Sequence, residues 1–414
     1  MSIPTLSKYK LLAIALALLQ FLGFSQDRKD ALAIIDTLCS AEMAGRGYVN
    51  NGHKKAAKFI ANEMDNCGLS TAGGKYFQSF QFTANTFPSK LIVSLNDSLN
   101  LQPGIDFLVD ASCPKIKGSF FVAKGFSTED LDRKKAFLVI DLTKEEPQPQ
   151  EVQNAMLENP SYRGYIFLQD QKFMWSTSTH QGKKPILFIQ KKAFPKEVVN
   201  IQVDIEAKLK NIKSQNVIGL VKGTSSPDRY LLVSAHYDHL GKMGETAQFS
   251  GANDNASGIA YLLSLAKYFS AHPPPFSLLF IAFGGEEMGL VGSQHYVLHP
   301  TIPLEQIAFV LNLDIMGTGE EGITVVNGTT HPHIFDKLNE INRKAAFLPL
   351  VKKRGEAANS DHYPFSSAGV PAFFIYTLGG NPAYHDIYDL PKNLTLSHFE
   401  PIFNLLRAFI ITTL

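Results

Sequence analysis

The sequence is poor in cysteine, in tryptophan and in net charge. Its 414 residues include three cysteines, Cys39, Cys67 and Cys113, and one tryptophan, Trp175. Three cysteines are too few for a disulfide scaffold and do not have zinc-knuckle spacing. Cys39 and Cys67 both sit at predicted helix ends and could pair in an oxidising compartment; three buried thiols is the other reading. Lysine and arginine total 39 against 38 aspartates and glutamates, a formal charge of +1. Charge therefore gives no argument for nucleic acid or anionic membrane as a partner. Internal repeats and long low-complexity segments are absent. So is any apolar run of the ~20 residues a bilayer span needs. What is present is globular: 45% hydrophobic and 19% charged residues, ample material for a core in one large domain or two ordinary ones.

The N-terminus has its own texture. Lys8 and Lys10 precede the apolar run from Leu11 to Phe24, and small residues Gly23 and Ser25 follow. That is the pattern of a secretory signal peptide over 1–25, which predicts export to a periplasmic or extracellular location. The competing reading is an uncleaved anchor. No cysteine follows closely enough for a lipoprotein.

Helices are predicted at Asp30–Cys39 and Asn51–Cys67; in the second, Ala57, Ile60, Ala61 and Met64 share one face and Gly68 provides a stop. From 87 to 205 short strand-like runs alternate with polar, proline-containing connectors such as Glu145–Gln150. The runs are Leu91–Leu95, Phe120–Ala123, Ala136–Ile140, Gly164–Leu168 and Ile186–Ile189. No acid–histidine cluster occurs there, so this is read as an inserted, mostly β module. From Ser214 onward strands and helices alternate. Strands are predicted at Val217–Val221, Tyr230–Ala235, Leu278–Phe283, Ala308–Leu313 and Ala372–Tyr376. Helices are predicted at Ala256–Ser270, Leu290–Leu298, His333–Lys344 and His398–Thr413. The fold class that follows is a three-layer α/β/α sandwich with a mixed, largely parallel sheet. Ser397 and Glu400 stand in capping-box spacing at the last helix. Its apolar residues Ile402, Phe403, Leu406, Phe409 and Ile410 should face the sheet.

The most informative residues are Glu286 and Glu287, which end an apolar strand after two glycines. Adjacent side chains on extended backbone point opposite ways, and two like charges there destabilise the fold unless one is neutralised. A metal ion would do this. His236, Asp314 and His385 likewise lie just past the carboxyl ends of predicted strands, the edge at which open α/β sheets bind ligands. Asp254 precedes a helix. Taken singly, each has a bland explanation: Asp254 as an N-cap, the glutamates as a solvated face, the histidines as loop residues. Coincidence at five strand ends is the weaker explanation. The mixed N/O donor set suits zinc, with manganese or cobalt as substitutes. Two ions about 3.5–4 Å apart need a bridging carboxylate, and the Asp254 loop lies between the His236 and glutamate strands.

These segments, Ser234–Gly241, Gly251–Gly258, Gly284–Glu287, Asn312–Gly317 and Ala383–Asp389, resemble those of secreted bacterial co-catalytic di-zinc aminopeptidases. Their superfamily also holds glutamate carboxypeptidase II and the glutaminyl cyclases. Ser40–Gly47 and Lys54–Ala57 resemble the family's N-terminal helix region. The resemblance implies a zinc peptidase domain over 26–86 and 206–414 acting on peptide substrates. It implies one zinc on His236 and Asp314, the other on Glu287 and His385, and Asp254 as the bridge with a cis peptide to Asn255. Glu286 becomes the general base, Asp238 a group orienting His236, and Tyr384 an oxyanion stabiliser. The module over 87–205 weakly resembles a protease-associated domain. Asp361, in Ser360–Phe365, either orients a site group or closes a turn. His239, His295 and His362 are read as structural, and His331 and His333 as surface residues. Two other activities stay open: a single-zinc glutaminyl cyclase, and a carboxypeptidase that would need a basic pocket, with Arg354 in a candidate loop. A non-catalytic binding protein of this fold is the remaining alternative.

Overall fold

The computed structural model describes residues 28–124, 135–143 and 162–414. The signal-peptide stretch 1–25 and the connector Glu145–Gln150 lie outside the described residues. The fold is α/β and is organised around two sheets. The larger has nine strands. In spatial order they are Ser70–Thr71, Lys208–Val221, Phe276–Phe283, Ser226–His236, Ile307–Leu313, Ala372–Leu378, Gly322–Val326 and Val351–Lys353, with Phe77–Thr86 also paired to Lys208–Val221.

The strand Phe276–Phe283 is buried along its whole length, as a central strand covered on both faces must be. Each fully buried Leu, Ile or Phe there contributes roughly 1.5–3 kcal/mol. One face is covered by helices 28–38, Gly52–Asn66, Ser257–Ala271, Pro332–Ala345 and Phe399–Thr413. The other is covered by Val291–Leu298 and His362–Ser367, through Tyr296 and Phe365. The predicted helix faces are the buried ones: Ala57, Ile60, Ala61 and Met64, and Ile402, Phe403, Leu406, Phe409 and Ile410.

The mixed sheet agrees with the expected fold class, and two finer expectations need correction. The sheet is mixed, but the parallel pairing runs through its four central strands and recurs only between Gly322–Val326 and Val351–Lys353. Lys208–Val221 pairs antiparallel with its neighbours, and Gly322–Val326 pairs antiparallel with Ala372–Leu378. Phe77–Thr86 and Gly322–Val326 are strands beyond those predicted; the first exposes alternate residues on an outer ribbon, so it lacks an apolar run. The capping box at the last helix does not form: the Ser397 hydroxyl donates to Glu320 instead. Cys39, Cys67 and Cys113 are all free thiols, and burial pushes the Cys39 thiol up to about 11.

The second sheet has eight strands and runs from Ile92 to Ile205. Four of them, Ile116–Lys124, Ala136–Asp141, Gly164–Gln169 and Ile186–Gln190, pair in parallel. The chain enters and leaves it along the antiparallel ribbon of Phe77–Thr86 and Lys208–Val221. Among the described residues no helix is long and apolar enough to cross a membrane.

Candidate metal centre

Strand register brings the polar residues to one edge. His236 ends its strand opposite Phe283, so the Gly284–Glu287 turn begins one residue beyond it. Gly285 has a φ of 73°, a left-handed value that glycine adopts without strain. Asp314 directly follows the strand Ile307–Leu313, and its N–H donates to Ile375 at 3.1 Å. Asp254 is not a helix N-cap. It lies in an irregular turn, Ala252–Ala256, with a cis peptide to Asn255. Asn255 ties this turn to the Asp314 strand, donating to Leu313 O at 2.9 Å and accepting from Ile315 N at 3.2 Å.

Asp254 lies between the two histidines. Its Oδ1 is 3.2 Å from His236 Nε2, and its Oδ2 is 3.1 Å from His385 Nε2. His236 Nε2 is also 3.2 Å from Asp314 Oδ1, and His385 Nε2 is 3.3 Å from Glu287 Oε2. Each imidazole nitrogen thus faces oxygens of two different carboxylates. The opposite ring nitrogens decide the protonation. His236 Nδ1 meets Asp238 O and His385 Nδ1 meets Trp175 O, each at 3.1 Å. A carbonyl only accepts, so both Nδ1 atoms carry hydrogen. Each Nε2 must then hold either a second proton or a cation, because a bare lone pair would face two anions. Separations of 3.1–3.3 Å match the ~3.3 Å edge of a tetrahedron with bonds of about 2.0 Å, the zinc–nitrogen length. The residues therefore fit two ions sharing Asp254.

Electrostatics supports the same conclusion. Burial alone would lower both histidines. The carboxylates Asp314 and Glu286 around His236 override that and hold it well above its ordinary value; Glu287 and Asp254 raise His385 to about 9. Burial would raise Asp254, but hydrogen bonds from His236 and His385 bring it well below the usual carboxylate range. Positive charge is wanted where the two rings meet the carboxylates. Glu286 differs: burial first, then Glu287, Asp361 and Asp314, push it well above the usual range against the opposing His236. One Glu286 oxygen lies within 4.8 Å of donor atoms of His236 and Asp314, yet Glu286 is not needed to complete either tetrahedral face.

Asp238 corrects an expectation. Its backbone carbonyl, not its carboxylate, holds His236; the nearer carboxylate oxygen is 4.0 Å from Nδ1. The carboxylate instead accepts from the Glu286 N–H at 3.1 Å and the Tyr48 hydroxyl at 2.9 Å. It thus orients the turn that carries Glu286. Tyr384 stacks on His385, with ring centroids 4.0 Å apart, and is partly exposed.

Several residues packed around the centre carry no distinguishing pattern of their own in the sequence. His239 is fully buried in the centre, with Nδ1 2.7 Å from Glu287 Oε1, leaving Glu287 Oε2 to face His385. Ser360 donates to Asp314 Oδ2 at 2.7 Å, and Ser234 and Asn312 continue that chain. Asp389 accepts the N–H groups of Asn253 and Asp254 at 2.8 and 3.0 Å. Arg46, wholly buried, donates to five carbonyls, those of Leu38, Tyr237, Ser250, Gly251 and Asp254. The usable signal was polar residues packed into loops whose neighbours are apolar. Asp361 sits behind the centre, accepts from Ser293 at 2.5 Å, and is raised by burial to about 7. His362 is buried near Phe374, and His295 stacks on His299, both outside the centre. His331 and His333 lie at the start of Pro332–Ala345, half-buried and exposed.

Fold and site together define a protein with two adjoining imidazole–carboxylate half-sites at the carboxyl edge of an α/β sheet. Residues 216–410 match the model of peptidase family M28, and this stretch contains all eight residues read as catalytic or ligating. The aminopeptidase YwaD of Bacillus subtilis (strain 168) is 32% identical over 263 residues, covering 59% of this chain and 55% of that protein. A probable zinc metalloprotease of Pyrenophora teres f. teres is 36% identical over 119 residues, 28% of this chain and 25% of that one. The chain thus spans about half or less of these relatives' length. The solved structure of BSAP, a zinc aminopeptidase from Bacillus subtilis, superposes with a TM-score of 0.68 at 21% identity, covering 93% of this chain and 94% of that one. An aminopeptidase from Aneurinibacillus sp. strain AM-1 gives 0.64 at 21% identity, covering 92% of each. These structural likenesses establish the shared fold.

Proposed function

We propose that the chain is an exported zinc-dependent aminopeptidase that removes N-terminal residues from peptides. The observation that carries this is Asp254, whose two oxygens each meet a different imidazole already committed through Nδ1 to a carbonyl. That arrangement favours two ions over the single zinc of a glutaminyl cyclase. The specificity for amino ends comes from the relatives, which are named aminopeptidases. Arg354, the candidate for a carboxylate pocket, is exposed and donates to the Tyr376 hydroxyl at 3.3 Å.

His236 and Asp314 would hold one ion and Glu287 and His385 the other, with Asp254 available to both. When bound, the ions supply positive charge that acidifies a water and polarises the scissile carbonyl. Glu286 takes the water's proton and returns it to the leaving amine; as the carboxylate free of ligand duty, it keeps its basicity. Asp238 fixes the Glu286 backbone. Tyr384 lies beside His385, where its hydroxyl can donate to the developing oxyanion. We assign 26–86 and 206–414 to the peptidase domain and 87–205 to an inserted module of protease-associated type, with 1–25 as the export signal.

The test combines metal analysis with aminoacyl chromogenic substrates and Gln-peptides. The unmodified chain should bind two zinc ions and release amino acids. Glu286→Gln should keep both ions and lose roughly 10²–10⁴-fold in kcat. One ion per chain with Gln cyclisation and no amino-acid release would replace this reading with the cyclase.

A further inference from the structure

The two half-sites are supported by different parts of the chain. Around His236 and Asp314 the supports are Asp238 O and the Ser360 hydroxyl, both from the peptidase layer. Around His385 and Glu287, three contacts come from the segment that follows the strand Gly164–Gln169 of the second sheet. Trp175 N donates to His385 O at 2.8 Å, and Trp175 O receives His385 Nδ1 at 3.1 Å. The Thr177 hydroxyl donates to Glu287 O. Lys172 pairs with the buried Asp386 at 2.6 Å and donates to Pro382 O, bracketing His385 on both sides. The segment is itself anchored: Trp175 Nε1 donates to Val109 O at 2.9 Å, and its ring stacks on Phe249 at 4.8 Å.

We propose that Lys172–Thr177 is a positioning strap for the His385–Glu287 half-site alone, so that the inserted module and the ion in that half are energetically coupled. This rests on the two-ion reading above. Trp175 O fixes which nitrogen of His385 is free to ligate, and Thr177 fixes the backbone of Glu287; outer contacts of this kind set ligand orientation and basicity. Coupling is reciprocal, so the ion must hold the strap as firmly as the strap holds the ion's ligands.

Zinc titration calorimetry on the full chain tests this. The step lost in His385→Ala marks one half-site, and the step lost in Asp314→Ala marks the other. Thr177→Val, nearly isosteric, and Lys172→Ala should each weaken the first step roughly 10–100-fold and leave the second within about twofold. Lys172→Arg, which keeps the cation, should restore most of the loss. In hydrogen exchange, the Trp175 amide should slow when Asp314→Ala takes up its one ion and stay unchanged when His385→Ala does. Equal weakening of both steps, no weakening, or Trp175 protection that follows the other half overturns the strap. General unfolding of Thr177→Val at saturating zinc also counts against it. A single binding step in the unmodified chain overturns the two-ion reading instead.

Discussion

The two halves of the candidate centre share one carboxylate but little else. The His236–Asp314 half is built from two parallel strands that are direct neighbours in the central sheet, buttressed by Ser360, Asn312 and Ser234. The His385–Glu287 half is built from a strand-end turn, a loop in which His385 has a φ of 51°, and a segment that follows a strand of the second sheet. His385 keeps some exposure, while His236 has almost none. The lesson is that sheet register by itself brings the residues of one half together. The other depends on contacts between distant parts of the chain, which must form before the site exists.

The comparison can be broken at its shared member. Asp254→Ala should abolish both ions and all activity together, checked by metal content after dialysis; one ion retained would show that the halves do not depend on the bridge. Arg46→Met should come next. Leaving carbonyls at five positions without their donor should cost about 3 kcal/mol or more of stability, read by urea denaturation, because Arg46 joins the N-terminal segment to the Asp254 turn. An unchanged midpoint would mean that water replaces the guanidinium. Ser360→Ala sharpens the contrast from the other side. It should weaken the Asp314 step roughly 10–100-fold and spare the His385 step, the mirror image of Thr177→Val. The smallest effect belongs to Arg354→Ala, which should alter stability by less than about 0.5 kcal/mol and leave aminopeptidase rates unchanged. A selective loss on peptides with free carboxyl ends would reopen the carboxypeptidase reading.

Four of the five segments that carry the candidate ligands are legible because each follows an apolar strand, and strand periodicity is a local property; the fifth, around Asp254, precedes a helix. The pairing of Asp254 with both halves was also accessible, from the order of its loop along the chain. The supporting residues were not. Arg46 reaches Gly251 across 205 residues, and Trp175 reaches His385 across 210. Neither lies in a periodic pattern that points to its partner. His239, three residues after His236, has no distinguishing local pattern; only the fold turns it onto Glu287. Ser397 shows the opposite failure, a local motif whose hydroxyl found a better acceptor in Glu320.

The amino-acid sequence by itself determined the α/β core, the edge at which the site lies, and the donor set of two imidazoles and carboxylates, because burial and strand period act over a few residues. Tertiary structure alone decided which nitrogen of each histidine is free, that the Asp238 carboxylate serves Glu286 while its carbonyl meets His236, and that the loop after Gly164–Gln169 meets His385 and Glu287. Those outcomes depend on hydrogen bonds between groups that only long-range folding brings within 3 Å or so of each other.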